Sequence, residues 1–487
     1  MDRRVRFWIW IAWGALAIGP AQGAPVAAGE WRSLRDAGGG AVVEARFEGL
    51  KAGHYLLRRR ADGRLFEVAP DLLGGEDRAH FGQAAKRLAD ELSRLNPAAG
   101  HDMFSGTPFE ARAAEEVAHA LGLQPESRSL HSRSWRLYAS RVPGYRLFGA
   151  MPYSVALYAD EQGHATSLSV VYANKGDFGS TAGEAAQHFN GGSEASAATL
   201  AAAMEHDAQT VGAALVKVLG EPRAQRFGEG KARHTVRRWD WNGHSLLLST
   251  KEGESVLLQV VPLDLAAAGG RTATTSNTQL HQRLLADVAR EPNGDVYLTQ
   301  IPMVNQGPKG YCVPATFERV LRTMGIESDM YLLAMIGGTR AGGGTSVEAL
   351  MAAVRSLVYQ KGRRTKDIPV KDLRIREVKR YLDAGIPVMW TLFSVDEYNH
   401  SADENTATRR KTSDWQAYAA SIAAAADKIS RKPKPDSKHH ICLIVGYNEQ
   451  TDELAVSDSW GPQFERRWVP AKVAAWASQG GLFLILP

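Results

Sequence analysis

The sequence predicts an α+β fold built in several units, and three observations carry that expectation. The chain has 487 residues, more than one hydrophobic core organises, so about two to four units are expected. Apolar and polar residues alternate in short runs through the N-terminal half, the period of half-buried strands. In the C-terminal half, a stretch with helical spacing precedes a hairpin pattern. The architecture expected is a small N-terminal β unit, a middle α+β domain at 104–262 and a C-terminal α+β domain at 278–487. In the last, a helix bearing Cys312 packs on an antiparallel sheet bearing His440 and Asp458.

The first element is an export signal. Arg3, Arg4 and Arg6 precede an apolar run at 7–19, Pro20 breaks the helix, and Ala21-Gln22-Gly23 supplies small residues for cleavage. The run is too short for a bilayer span of about 20 residues. Residues 1–23 are therefore read as a cleaved signal peptide rather than an uncleaved anchor. That places the mature chain in a secreted or periplasmic location, with no stable membrane span. Composition excludes other classes. With 44% hydrophobic and 23% charged residues the chain is neither collagen-like nor disordered. Its 58 basic and 53 acidic residues are spread along the chain, and the densest basic runs sit among turn residues. No nucleic-acid partner is expected.

Residues 30–84 read as the first folded unit. Val43, Ala45 and Phe47 alternate with Glu44 and Arg46, and Asp62-Gly63 turns the chain between Tyr55–Leu57 and Leu65–Val68. With Trp31, the EARFEG strand, the hairpin ADGRLFEV and a closing GGEDRAHF, this stretch resembles the SHD-type SH3-like barrels. The resemblance implies a small barrel, without catalytic residues, that meets a protein or cell-surface partner.

The middle domain offers strands from Trp135 to Tyr172, with a turn at Asp160–Gly163. An Ala-rich helix follows from Ser196 to Leu219 and is stopped by Gly220 and Pro222. Strands resume at Trp239–Pro262. It carries no chemical motif. Residues 263–277, rich in Ala, Gly, Thr and Ser, read as a linker.

The C-terminal domain holds the chemistry. Phe317, Val320, Leu321 and Met324 lie on one helical face, which Gly325 ends. Pro314 suits the first turn, so Cys312 falls at a helix N-terminus, where free N–H groups and the macrodipole favour a thiolate. Gln306, six residues earlier in a Gly- and Pro-containing loop, is placed to offer its side-chain amide to an oxyanion beside the Cys312 N–H. Further on, apolar runs at Ile441–Val445 and Leu454–Val456 flank a polar turn. Folding about Glu449 sets position 440 opposite 458, within a register step of about two residues. His439 and His440 then point to opposite faces, and only one shares a face with Asp458.

The stretch QGPKGYC before a helix, the His followed by five residues and then Gly-Tyr, and the D-S-W-G turn resemble papain-like cysteine peptidases. The order Gln, Cys, His, Asp is also theirs. Cys-Val-Pro-Ala, the Asp, the Gly344-Thr345-Ser346 helix start and the AGIPVMWTLF strand resemble the bacteriocin-processing branch most. The resemblance implies Gln306 as oxyanion donor, Cys312 as nucleophile, His440 as general base and acid, Asp458 as its orienting group, and Trp460 as a shield for the pair. It implies no cofactor and no metal, and a protein or peptide substrate. The insertion at 394–438 has no counterpart there and is long enough to cover the base as a lid.

Cys442, inside an apolar strand, is read as a core residue. His439 and His440 lack further ligands at zinc spacing. Three readings remain open: an active peptidase, an acyltransferase or amidase using the same residues, and a binding module that kept the fold without turnover.

Overall fold

The structure, a computed structural model, describes residues 30–35, 43–177, 197–308, 310–341 and 344–487. The segment at 1–23 read as a signal lies outside the described residues.

At the N-terminus, β1 (Arg32–Leu34), β2 (Val43–Lys51), β3 (His54–Arg59) and β4 (Leu65–Val68) form an antiparallel meander in that order. The turn at Gly63, with φ +68°, closes the β3–β4 hairpin as expected. The expected closed barrel is not among the described strands. GGEDRAHF does not close the sheet as a strand. It opens the long helix α1 (Gly75–Ala99). Phe81, Ala84, Leu88 and Leu95 recur at helical spacing and are buried against the sheet, while Glu76 and Asp77 favour the first turn. Phe47, Tyr55 and Phe81 meet with ring centroids 5.7–6.2 Å apart.

The middle region is one eight-stranded antiparallel sheet. After the short α2 (Ala114–Ala120) come β5 (Gln124–Arg128), β6 (Arg133–Tyr138), β7 (Ser154–Ala159) and β8 (Ala165–Asn174). Then α3 (Ala197–Leu219) precedes β9 (Arg223–Phe227), β10 (His234–Trp241), β11 (His244–Lys251) and β12 (Ser255–Pro262). The order β5-β6-β7-β8-β12-β11-β10-β9 is two four-stranded meanders joined where their last strands pair. One continuous core runs from the N-terminal meander through α1 into this sheet, and Trp241 Nε1 donates to Glu91 of α1 at 3.0 Å. Residues 263–267 form a helical turn, α4 (Leu263–Ala267), whose Ala266 is enclosed by Phe227, Val236, Leu247 and Val261.

The C-terminal region begins with α5 (Asn277–Ala286), capped by the Ser276 hydroxyl, then β13 (Val288–Arg290) and β14 (Asp295–Leu298). Helices α6 (Cys312–Thr323), α7 (Met330–Ile336) and α8 (Val347–Gln360) follow. Beyond them come β15 (Arg364–Pro369), α9 (Ile375–Leu382), β16 (Val388–Phe393), α10 (Asp396–Arg409) and α11 (Trp415–Ser430). The chain ends with β17 (His439–Asn448), β18 (Glu453–Ser457), β19 (Arg467–Pro470), α12 (Ala471–Ala477) and β20 (Ser478–Leu486). Its sheet runs β13-β14-β17-β16-β20-β15, with β18 and β19 added beside β17. Helix α8 starts at Val347, with the Ser346 hydroxyl accepting from the Ala349 N–H at 3.2 Å. The Thr345 hydroxyl bonds to that of Thr339 at 2.6 Å, so the cap falls to Ser346. The insertion is α10 and α11. Tyr398 and Ala402 of α10 are buried in the C-terminal core and the Thr406 hydroxyl accepts from the Trp468 N–H at 2.7 Å, so α10 lies along β19. At Gly446 of β17 a Cβ would meet the Val296 carbonyl at 2.5 Å, so only glycine lets β14 approach this closely.

Candidate active site

Cys312 opens α6, whose residues from Val313 to Leu321 are all buried. That burial fixes the helix against β17, where Thr316 Oγ1 donates to the Ile441 carbonyl at 3.4 Å. Arg319, one turn further, is fully buried and ties three segments together. Its Nε donates to the Pro302 carbonyl at 2.9 Å, Nη1 to the Ser457 carbonyl at 3.1 Å and Nη2 to the Ser457 hydroxyl. The thiol-bearing helix, the loop before it and the strand leading to Asp458 are thereby held as one body.

The β17–β18 hairpin differs from the expected register in an instructive way. Near the turn, Asn448 pairs with Glu453 and Gly446 with Ala455; beyond a bulge at Val445, Ile444 pairs with Val456 and Leu443 with Ser457. Carried on, this register sets His440 opposite Trp460 and Cys442 opposite Asp458, a two-residue step from the expected pairing. Two residues preserve the face. Without the bulge the register would shift by one, and Asp458 would lie on the far side of the strand from His440.

His440 Nε2 and Asp458 Oδ1 are 3.0 Å apart, both groups buried. The other ring nitrogen is left for the Cys312 thiol, and each of the two groups shifts the other's proton affinity. Trp460 stacks on the His440 ring at 4.8 Å and 27°, and Phe464 meets Trp460 edge-on. His439 is exposed, its Nδ1 3.3 Å from Gln479 Oε1 on the other face. Gln306 lies half-buried in the loop before α6, and its backbone N–H donates to the Ser459 carbonyl at 2.8 Å, next to Asp458. Cys442 is fully buried and Cys312 half-buried, both free thiols.

Electrostatics favour an ion pair. Burial pushes the Cys312 thiol up, but the His440 hydrogen bond and charge, with the backbone N–H groups of Ile441 and Val313, outweigh it and hold the thiol below its ordinary value. Burial likewise opposes a charge on His440, yet Asp458 and Cys312 raise the imidazole to about 9. Asp458, pushed up by burial, is drawn below the usual carboxylate range by the Arg467 charge and the His440 hydrogen bond.

Arg467 was not identified from sequence. Its Nη2 donates to Asp458 Oδ2 at 2.7 Å and its Nε to the same oxygen at 3.2 Å. It also donates to Asp403 and Asn399 of α10 at 3.0 and 3.2 Å. In sequence it is the second of two adjacent arginines, and such a pair reads as solvated. Its one signal is its place at the start of the strand that follows the D-S-W-G turn. Among the described residues no cluster of three or more His, Cys, Asp or Glu is arranged to hold a metal ion, and no helix is long and apolar enough to cross a membrane.

A thiol at a helix N-terminus, an imidazole and a buried carboxylate, brought together across a helix and an antiparallel sheet, are the groups that nucleophilic catalysis by a cysteine requires. Residues 298–482 match the model of the family described as "Peptidase_C39 like family", which supports a cysteine peptidase in this part of the chain. Among solved structures, xylellain, a cysteine protease from Xylella fastidiosa, aligns over 44% of this chain and 90% of its own. Its identity is 11% and the TM-score 0.26, too low to weigh in the assignment. No curated protein matches the chain.

Proposed function

We propose that residues 278–487 form a peptidase that hydrolyses peptide bonds of a protein or peptide substrate through Cys312, His440 and Asp458, with Gln306 as oxyanion donor. The observation that carries the reading is the buried hydrogen-bonded series from His440 through Asp458 to Arg467, with the Cys312 thiol at the start of α6 interacting with the His440 imidazole. In this reading the Cys312 thiolate attacks the scissile carbonyl, and the Cys312 N–H and Gln306 amide hold the oxyanion. The imidazolium gives its proton to the leaving amine, and a C–N bond breaks as the thioester forms. Water, deprotonated by the now neutral His440, then attacks the thioester and releases the acid and the thiolate. Asp458 keeps the tautomer and orientation of the ring throughout. The arginine-led apolar leader at 1–23 supports export to a secreted or periplasmic location.

The test is alkylation of the purified protein by iodoacetamide across pH, read by intact mass, with Cys312→Ser and His440→Ala as controls and labelled casein as the substrate probe. Rapid modification of Cys312 well below pH 8 is expected, slowed at least about tenfold by His440→Ala. Casein should be cut by the unmodified protein only. A Cys312 that reacts like a free thiol at every pH would sink the reading.

A further inference from the structure

The loop that carries Gln306 is held from outside its own domain. Asn305, the residue before it, donates its backbone N–H to Glu126 Oε1 of β5 at 2.8 Å, and its carbonyl accepts from the Tyr138 hydroxyl at the end of β6. The following N–H, that of Gln306, donates to the Ser459 carbonyl at 2.8 Å. The peptide plane entering Gln306 is therefore fastened at both ends, its oxygen by the middle sheet and its hydrogen by the segment after Asp458. Asn305 Oδ1 accepts from the Gly307 N–H at 2.9 Å and shapes the turn. Gly307 has φ +71° and lies flat against the Tyr138 ring, which a Cβ there would approach to 2.6 Å. Two residues upstream of Asn305, the Met303 N–H donates to Ser127 Oγ at 3.2 Å.

These partners are themselves braced. Glu126, Ser127, Tyr138 and Arg136 are all buried. Arg136 Nε donates to Glu126 Oε1 at 2.6 Å, and the Ser134 hydroxyl donates to Oε2 at 2.9 Å. A buried carboxyl group held by an arginine and two further donors keeps one orientation. Tyr138 also belongs to a small core with Val304, Tyr311 and Ala315, which caps the start of α6.

We infer that Glu126 and Tyr138 of the middle sheet are positioning residues for the oxyanion loop. The inference rests on the roles proposed above for Cys312 and Gln306. A loop with a Gly at positive φ and a Pro beside it samples several shapes when free; two hydrogen bonds from a rigid sheet select one of them. Oxyanion stabilisation depends on donors placed before the charge develops, and a misplacement of about 1 Å costs orders of magnitude in rate.

Two electrophiles separate this from a general effect on folding. Iodoacetamide alkylates a thiolate by direct displacement, with no oxyanion. p-Nitrophenyl acetate acylates it through a tetrahedral oxyanion, with p-nitrophenolate leaving and an S-acetyl group remaining on Cys312. Tyr138→Phe and Glu126→Gln, with Gln306→Ala as reference, are measured with both reagents on the full chain against a Cys312→Ser background. Both variants are expected to lower acylation about tenfold or more, in the direction of Gln306→Ala, while alkylation stays within about twofold. An unchanged ratio of the two rates in both variants, whether both rates hold or both fall together, overturns the inference. A wild-type thiol no more reactive to iodoacetamide than a free cysteine removes the underlying reading and this inference with it; a reactive wild-type thiol with unaltered ratios removes the positioning role alone.

Discussion

Asp458 accepts from His440 on one oxygen and from Arg467 on the other, and neither contact reaches solvent. An isolated buried carboxylate would sooner take a proton than keep its charge, and a neutral acid would not hold an imidazolium. The Arg467 charge is the largest influence holding the Asp458 carboxyl below its ordinary range. Removing one partner of such a buried pair costs about 3–5 kcal/mol, because the other charge is left uncompensated. Arg467→Met is thus expected to lower the unfolding free energy by that order and turnover at least about tenfold, the scale seen when a group behind a reacting side chain is lost. Arg467→Lys keeps the charge but cannot fork between Asp458, Asn399 and Asp403, so it should recover only part of either loss. Urea unfolding and casein turnover check both, and an Arg467→Met protein that works like wild type would remove the residue from the site. Much at this scale was legible in the sequence. A cysteine before a Pro-containing helix and a histidine and aspartate astride a hairpin are local patterns. Arg467 was not legible, because its meaning lies in contacts to α10, 64 and 68 residues away.

Helix α10 shows why the insertion resisted a sequence reading. Its two ends look polar, yet Arg409 near its C-terminus is buried between the carboxylates of Asp295 and Glu453 and stacks 4.0 Å over the Trp468 ring. The Tyr418 hydroxyl of α11 adds a hydrogen bond to Glu453 at 2.8 Å. A charged face that suggests solvent is here the mortar between the insertion, β14 and β18. Arg409→Ala leaves two carboxylates facing each other without a cation, and the expected loss is about 3–5 kcal/mol in urea unfolding. A loss below about 1 kcal/mol would mean that water replaces the guanidinium without difficulty. Alternation also located β17 and β18 correctly. It could not supply the bulge at Val445, since no residue type there distinguishes a regular from a bulged strand, and the bulge decides which face Asp458 occupies.

Across the whole molecule several buried groups make stability depend on pH, and Glu318 is one whose contribution can be isolated. Glu318 of α6 is fully buried where it meets the middle sheet, its Oε1 accepting from Tyr158 at 3.1 Å and its Oε2 from the Met330 N–H at 2.7 Å. Burial lifts it to about 7 against the opposing charges of Arg322 and Arg136. Above its unfolded value the folded chain holds a proton that the unfolded chain has lost, so stability falls as pH rises toward 7. His440, also raised, would continue the fall up to about 9. Once the Cys312 thiol has given up its proton, however, the thiolate–imidazolium pair binds as many protons as the neutral pair of the unfolded chain, and the two contributions offset. Near neutrality Glu318 is therefore opposed chiefly by His244, which burial lowers to about 4 and which adds stability as pH rises toward 6.5. Relative to Glu318→Gln, the wild type should lose stability between pH 5 and 7.5, by an order of roughly 3 kcal/mol at most, in urea unfolding. An equal slope in the variant would assign it elsewhere. Composition and period indicate an α+β chain with more than one core, as the structure has. The pairing of β8 with β12, and the single core that joins the N-terminal meander to the middle sheet, depend on contacts between distant segments that no local pattern encodes.

The unequal exposure of the two cysteines sets how the site fails under peroxide. Cys312 is not fully buried and is inclined to ionise, the combination that oxidises first to a sulfenic acid. Cys442 is wholly enclosed in β17 and has no route to meet it as a resolving thiol. Rescue must then come from a small thiol in solution, and in its absence the sulfur proceeds to the sulfinic acid, a step that is not reversed. In the intact protein this appears as gained oxygen at Cys312 rather than loss of two hydrogens to a disulfide.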